Sequence, residues 1–292
     1  MTVSHQRRAK QNRYNRICHR LLTRISCQLG EEEALRILDT GELSDLFQSV
    51  PGSLSIEEQR DRLRAGIRAM AYAQQGASAT PVCLPSDPRV PVLGFDIDKV
   101  SAAVSSTAPL IVPVIALANP EPGSYSSTAW SGETDADSRP ILVAPSMPPV
   151  DAKLELYQLM YKREDIRKDQ VILNAIRLMD LILRKHGMDL HILTYRVIPT
   201  GTDCGFLEMI QGARTLYSIQ KPKDPKESND VPTLSQYFQQ RPQAIDRFQE
   251  TLAAWCIITL LLGVGDRHMN NIMARPDGTL FHIDYGYVLG QV

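Results

Sequence analysis

The sequence lacks an excess of either charge: 32 Lys and Arg nearly cancel 33 Asp and Glu, leaving a formal net charge of −1. That balance disfavours a nucleic-acid binder working by bulk electrostatics. It also lacks paired cysteines. The five present (Cys18, Cys27, Cys83, Cys204, Cys256) are odd in number and scattered, with neither metal-ligand spacing nor a disulfide framework, and fit a reducing compartment. No run reaches the roughly eighteen uncharged apolar residues that a membrane-spanning helix needs. The nearest candidate, Leu252 to Val264, is short and flanked by Asp246, Arg247, Glu250, Asp266 and Arg267, so it reads as a buried helix of a globular core. Acids are missing from the N-terminus: none precedes Glu31, while Arg7, Arg8, Lys10, Arg13, Arg16, Arg20 and Arg24 crowd the first 25 residues. Arg-rich and acid-poor is how a mitochondrial transit peptide reads. The spacing of Ile17, Leu21 and Ile25, opposite Arg13, Arg16, Arg20 and Arg24, favours an amphipathic helix with a solvated basic face.

What is present is ordinary for a folded protein: 292 residues, 43% hydrophobic and 22% charged, enough for one large domain or two modest ones. Helices are expected at Glu31–Leu38 and Ile56–Ala73. An Ala-, Pro- and Ser-rich break over 75–91 reads as a linker. Leu110–Leu117 and Leu154–Tyr161 read as strands, with an exposed insertion between them over 119–140. Asp169–Lys185 predicts an amphipathic helix with Val171, Ala175, Met179, Ile182 and Leu183 on its apolar face, stopped by Gly187. Two β-runs, Leu190–Pro199 and Gly205–Ile210, flank the turn Thr200–Asp203. Lys221–Asp230 is a polar loop, and Thr233–Gln239 and Asp246–Gly263 are helical. A final hairpin follows. The whole is an α+β layout.

The densest polar chemistry lies in Gly263–Met273 and Leu280–Gly286. A helix ending at paired glycines leaves Asp266, Arg267, His268 and Asn271 on one short loop. The turn Pro276-Asp-Gly278 closes a hairpin that sets Asn271 near Asp284. An amide oxygen facing a carboxylate suits Mg²⁺, which takes few protein oxygens and completes its shell with water and phosphate. Asp266 or His268 stands where a base would accept a proton from an attacking hydroxyl. Metal oxygens, a base and nearby positive charge are the parts phosphoryl transfer requires.

Gly265-Asp-Arg-His268 through Asn271, with His282-Ile-Asp284 and Gly286, resembles the catalytic loop and metal motif of phosphatidylinositol 3- and 4-kinases and their protein-kinase relatives. Asp165-Ile-Arg-Lys-Asp-Gln170 and Asp189–Val197 resemble the small lobe of that family. Leu84-Pro-Ser-Asp-Pro88, Trp255–Thr259 and Gly286-Tyr-Val-Leu-Gly290 are most similar to its class III, the vacuolar-sorting type. The resemblance implies a two-lobed, protein-kinase-like α+β fold. Residues 1–74 would end a helical accessory domain and 75–91 would be a linker. The small lobe would cover 92–207 with its insertion at 119–140, and 208–292 would hold the hinge and the first part of a large lobe left incomplete. It implies transfer of the ATP γ-phosphate to the 3-hydroxyl of phosphatidylinositol, with Mg²⁺ or Mn²⁺. It further implies a cytoplasmic enzyme, peripheral on endosomal and autophagic membranes, with a regulatory protein subunit. The alternatives are a phosphatidylinositol 4-kinase, a protein kinase of the same superfamily, or an inactive truncated scaffold.

Carried over by position, Asp266, Arg267 and His268 form the catalytic set, with Arg267 bracing the loop, and Asn271 and Asp284 hold the metal. Lys162 is placed to bind phosphate. Asp169 and Tyr195 form a polar pair behind the nucleotide, and Glu208, Met209 and Ile210 form the hinge. Met160, Met273 and Ile283 sandwich the base, and Ser105 and Ser106 cover the phosphates. The chain departs from the pattern in three places: the spacing from Lys162 to Asp169 is one residue short, Asn270 replaces an Asp, and Tyr285 replaces a Phe.

Overall fold

The computed structural model describes residues 43–73, 83–102, 107–117, 128–129, 141–142, 154–220, 234–238 and 242–290. The expected helices before residue 43, the polar loop 221–230 and almost all of the insertion lie outside these. The chain divides into two compact units, the first running largely to Tyr157 and the second taking Gln158 onward. That boundary falls about fifty residues before the 207/208 division expected from the sequence, because the end of one strand and a long helix share their core with the C-terminal elements.

In the first unit, α1 spans Ile56–Ala73 as its pattern predicts, and follows a short helix over 43–49. Ser55 caps α1 reciprocally with Glu58: the Glu58 backbone N–H donates to Ser55 Oγ at 3.3 Å, and the Ser55 N–H donates to Glu58 Oε2 at 2.9 Å. Arg60 donates to the Val100 carbonyl at 2.7 and 2.8 Å and Arg64 pairs with Asp98, tying the helix to the segment after Ile97–Lys99. The expected linker is a correction: its second half is a hairpin, β1 (Cys83–Leu84) and β2 (Asp87–Phe95), with Cys83 opposite Pro91 and Leu84 opposite Asp87. Prolines are accommodated in strands at bulges and edges, and the register shifts here and again between Val92 and Gly94. β3 (Ser101–Ala102) pairs with β4 (Leu110–Leu117), which pairs with β2. A two-residue strand β5 (Thr128–Ala129) lies within the expected insertion, and β6 (Ile141–Leu142) pairs with β2.

The second unit carries the chemistry. The end of β7 (Leu154–Lys162) pairs antiparallel with β9 (Gly205–Glu208), which pairs with β8 (Val197–Pro199). Between them lies α2 (Arg167–Lys185), which starts two residues before the expected position. Its buried face is Asp169, Ile172, Leu173 and Ile176, with Met179 and Leu183 packed behind, whereas Val171 and Ile182 are exposed. The buried face is rotated from the expected one because the apolar residues of this amphipathic helix span a wide arc, so periodicity alone does not fix which part of that arc is buried. The expected strand Leu190–Pro199 survives only as β8. Asp189 Oδ1 accepts the His191 N–H at 2.9 Å and His191 has φ 52°, a local turn that breaks the extended run.

β10 (Arg214–Thr215), α3 (Leu216–Ile219), α4 (Leu234–Phe238) and α5 (Pro242–Leu261) lead to the hairpin β11 (Ile272–Ala274) and β12 (Leu280–His282). α5 is not wholly buried as expected. Thr251, Ala254, Trp255 and Ile258 face the core, while Ile257, Leu260 and Leu261 are exposed. Thr251 Oγ1 accepts the Leu280 N–H at 3.0 Å, and the Trp255 ring stacks on His282 at 4.9 Å with 3° between planes. The helix therefore grips β12 by a buried hydrogen bond and an aromatic stack.

Two expectations follow. Gly278, at φ 90°, has no room for a side chain, since a Cβ there would lie 1.9 Å from the Ala244 carbonyl oxygen; Gly187, at φ 79°, faces open space. Gly278→Ala should therefore lose distinctly more stability than the ~1 kcal/mol of left-handed strain expected for Gly187→Ala, measured as denaturation midpoints. Burial, with help from Arg267, depresses the His282 pKa from its ordinary 6.5 to about 4. Below pH 6.5 the unfolded chain takes up a proton that the folded one refuses until about pH 4. Stability should therefore fall by about 1.4 kcal/mol per pH unit across that window. His282→Phe, which keeps the stack, should remove that share of the slope in denaturant melts at neutral and acidic pH.

Candidate active site

The site grows from the junction of α5 with the terminal hairpin. After Gly263 (φ 54°) the chain turns back, and Gly265 N–H donates to the Tyr287 carbonyl at 2.8 Å while Leu289 N–H donates to Leu262 O at 2.9 Å. These bonds hold the loop 264–271 against the segment after β12. The Ile272–His282 pairing and the bond from Ile283 N–H to Asn271 O at 3.0 Å set Asn271 beside Ile283 and Asp284, as the turn chemistry predicts.

Arg267 joins the two segments. Its Nε donates to Gly265 O at 2.7 Å, and its Nη1 donates to Ile283 O at 2.8 Å and Asn271 O at 3.5 Å. Its Nη2 donates to Asp284 O, and the guanidinium lies over the Tyr285 ring at 5.8 Å. A guanidinium satisfied by four carbonyls is a brace rather than a phosphate ligand.

Asp266 and Asp284 both adopt left-handed backbone, at φ 52° and 62°. Such conformations are uncommon outside glycine, tolerated best by Asp and Asn, and gather at functional sites. Asp284 Oδ1 accepts the Gly286 N–H at 3.2 Å. Asn271 is buried, and its Nδ2 lies 3.0 Å from Asp266 O, 3.5 Å from Asp266 Oδ2 and 3.3 Å from His268 Nε2. This turns the amide oxygen away from the loop carboxylate. His268 Nε2 stands 3.9 Å from Asp266 Oδ1, and its Nδ1 accepts the Asn270 N–H at 3.2 Å. Asp266, His268 and Asn271 thus form one cluster. Among the described residues no three His, Cys, Asp or Glu side chains gather as a metal site. A cation here would draw on the Asn271 oxygen and the Asp284 carboxylate, a sparse hard-oxygen set that fits Mg²⁺ or Mn²⁺ completing its shell with water and phosphate.

The second group of expected residues converges from α2 and the β7 sheet. Asp169 is buried, and its Oδ1 accepts the Tyr285 N–H at 3.3 Å. Burial pushes its pKa up, against the pull of Lys162. Tyr195 is buried, its hydroxyl pushed well above its ordinary range by desolvation, and it hydrogen-bonds to the backbone of Asp284. Asp169 and Tyr195 therefore grip the same strand end from behind. Lys162 lies within electrostatic reach of Asp284 and Asp169 but makes its ion pair with Glu164, Nζ to Oε1 at 2.6 Å. Burial pulls the lysine down, and the Glu164 hydrogen bond with the surrounding carboxylates more than offsets it.

At the expected hinge residues, Glu208 Oε2 accepts the Arg196 N–H at 3.0 Å, Glu208 N–H donates to Arg196 O at 2.9 Å, and Met209 N–H donates to Gln158 O at 3.2 Å. The Glu208 and Met209 amides are thus committed to the sheet. Met160, Ile210, Met273 and Ile283 are half-buried around one apolar core. Ser105 and Ser106 lie outside the described residues. Of the two substitutions near the loop, Tyr285 is fully buried with its hydroxyl donating to His282 O at 2.9 Å, so the added oxygen is satisfied, and Asn270 is exposed. Sequence reasoning missed Glu164, although a carboxylate two residues from the lysine was visible. It also missed the Trp255–His282 stack, which no local pattern announces.

Residues 156–292 match the family model described as phosphatidylinositol 3- and 4-kinase. The chain is 36% identical over 143 residues to phosphatidylinositol 3-kinase pik3 of Schizosaccharomyces pombe, covering 46% of this chain and 18% of that protein. It is 36% identical over 138 residues to the nodule isoform of phosphatidylinositol 3-kinase of Glycine max, covering 44% of this chain and 16% of that one. To phosphatidylinositol 3-kinase VPS34 of Candida glabrata it is 35% identical over 139 residues, covering 47% and 16%. The matched segment is thus less than a fifth of the length of these relatives.

Proposed function

From the match of residues 156–292 to the phosphatidylinositol 3- and 4-kinase family model, we propose that this chain is catalytic machinery of a lipid kinase with a two-lobed, kinase-like fold. It transfers the γ-phosphoryl group of ATP to the 3-hydroxyl of phosphatidylinositol. The observation that carries this reading is the junction built by Arg267, whose carbonyl bonds lock the Asp266–His268–Asn271 loop to the strand end bearing Asp284. Base and metal oxygens are thereby fixed before any substrate arrives, which is what a reaction driven by positioning and electrostatics demands.

In this mechanism the lipid hydroxyl approaches the exposed Asp266–His268 pair, which takes its proton as the oxygen attacks the γ-phosphorus and the bond from that phosphorus to the β–γ bridging oxygen breaks, releasing ADP. Asn271 and Asp284 are the residues that would hold Mg²⁺ or Mn²⁺, which when bound neutralises charge on the phosphates. Lys162 supplies a point charge to the phosphates. Met160, Ile210, Met273 and Ile283 give the adenine an apolar seat, with backbone groups of Glu208 and Ile210 at its edge. The names of the curated relatives support phosphatidylinositol 3-kinase over the 4-kinase alternative. In this reading the enzyme works from the cytoplasm, attached peripherally to endosomal and autophagic membranes beside a regulatory subunit, as its likeness to the vacuolar-sorting class implies. No helix among the described residues is long and apolar enough to cross a membrane.

Incubation of the chain with ATP, Mg²⁺ and phosphatidylinositol vesicles should yield the 3-phosphate, identified by chromatographic resolution of the positional isomers. Asp266→Ala and Asp284→Ala should each cut turnover by about 10²-fold or more. The 4-phosphate would support the 4-kinase, and nucleotide binding without transfer would support an inactive scaffold.

A further inference from the structure

Glu164 occupies a place that the proposed chemistry reserves for a phosphate. Lys162 closes β7, where it pairs with Gly205. A Cβ on Gly205 would lie 2.5 Å from Ile198 O and 2.6 Å from Ile166 Cδ1, so the backbone beside the lysine has no slack. The lysine side chain is 16% exposed, and its ammonium meets Glu164 Oε1 at 2.6 Å, the length of a charge-assisted hydrogen bond. Asp169 and Asp284 act on the same ammonium through space. One cation therefore serves three carboxylates, and only Glu164 takes an ion-pair contact with it. The neighbouring acid is engaged elsewhere, since Asp165 is tied to Arg167, Oδ1 to Nε at 2.8 Å and Oδ2 to Nη2 at 2.6 Å.

For a triphosphate to take the place at Nζ that Glu164 now fills, the Glu164 contact has to open, and repulsion between a carboxylate and a phosphate crowded at one ammonium favours that opening. The two partners are not equally able to move. Glu164 is 35% exposed and sits on the bend between β7 and α2, so it can turn out into water. Lys162 is enclosed and fixed by its strand.

We propose that Glu164 is an internal stand-in for the nucleotide phosphate, which holds Lys162 in place while the subsite is empty and is displaced when the phosphates bind. This rests on the kinase reading above and deepens it. Glu164 becomes a positioning residue that keeps the lysine extended toward the site and lowers the affinity for phosphate-bearing ligands without touching the nucleoside. Lys162 then exchanges one anionic partner for another, and no buried cation is left unpaired at any stage.

The test is calorimetric titration of the chain with ATP and with adenosine, each in Mg²⁺. Glu164→Gln should tighten ATP by about three- to ten-fold and leave adenosine unchanged. Glu164→Asp should fall between, and Asp165→Asn should leave the ratio of the two affinities where it was. In a Lys162→Met background the gain from Glu164→Gln should vanish, whereas a general relief of negative potential would persist there. ATP binding that weakens or stays the same in Glu164→Gln, with adenosine still bound normally, would overturn the stand-in. Adenosine that does not bind the wild-type chain would overturn the kinase reading, and the stand-in with it.

Discussion

A single guanidinium determines whether the candidate site exists. Arg267 reaches carbonyls on both sides of the final hairpin: Gly265 and Asn271 on the loop, Ile283 and Asp284 on the outgoing chain. Asn271 O also accepts the Ile283 N–H, and the guanidinium gives each of the four carbonyls a further donor. Arginine supplies several donors in a planar fork, so one side chain can hold loop and strand end together. The guanidinium also lies over the buried Tyr285 ring, 5.8 Å from its centroid, within cation–π range. The carboxylates and amide inherit their positions from it.

Behind this brace lies a second layer that controls the back of Asp284. Asp169 holds the Tyr285 amide, Tyr195 bonds the Asp284 backbone, and the Tyr285 hydroxyl returns to His282 O. These bonds are buried, where unpaired polar groups are costly and satisfied networks are rigid. α5 supports the same strand through Thr251 and the Trp255–His282 stack. The order of support runs from an apolar helix, through a buried polar layer, to the exposed carboxylate.

The parts of this arrangement written in local chemistry were legible in the sequence. Pro276-Asp-Gly278 announced the hairpin, and the hairpin brought Asn271 to Asp284; paired glycines announced the end of α5. α1 and β4 matched their patterns to the residue. What failed depended on tertiary choices. The apolar arc of α2 is wide, so the part of it that is buried could not be picked from spacing. The Ala-, Pro- and Ser-rich segment before Val92 looked like a linker by composition, yet Cys83 and Leu84 are buried in a bulged hairpin. The strand expected from Leu190 was broken by Asp189 capturing the His191 amide, a bond that composition does not weigh. Glu164 was visible but carried no sign that it would reach Lys162, since that depends on the bend between β7 and α2.

The left-handed backbone at Asp266 and Asp284 bears on how this protein changes over evolutionary time. A residue held at positive φ selects its own occupants: glycine, or the short polar side chains of Asp and Asn, while branched and bulky residues pay a steric penalty. At these two positions the geometric filter admits the side chains that a base or a metal ligand requires. The two pressures are therefore confounded here. A descendant that abandoned chemistry would still be held to Asp, Asn or Gly at both places for the sake of its fold, so these positions would drift within a narrow set. Loss of function in such a lineage would register first at positions free of that backbone constraint, such as Lys162 on its regular strand or His268 on the exposed side of the loop.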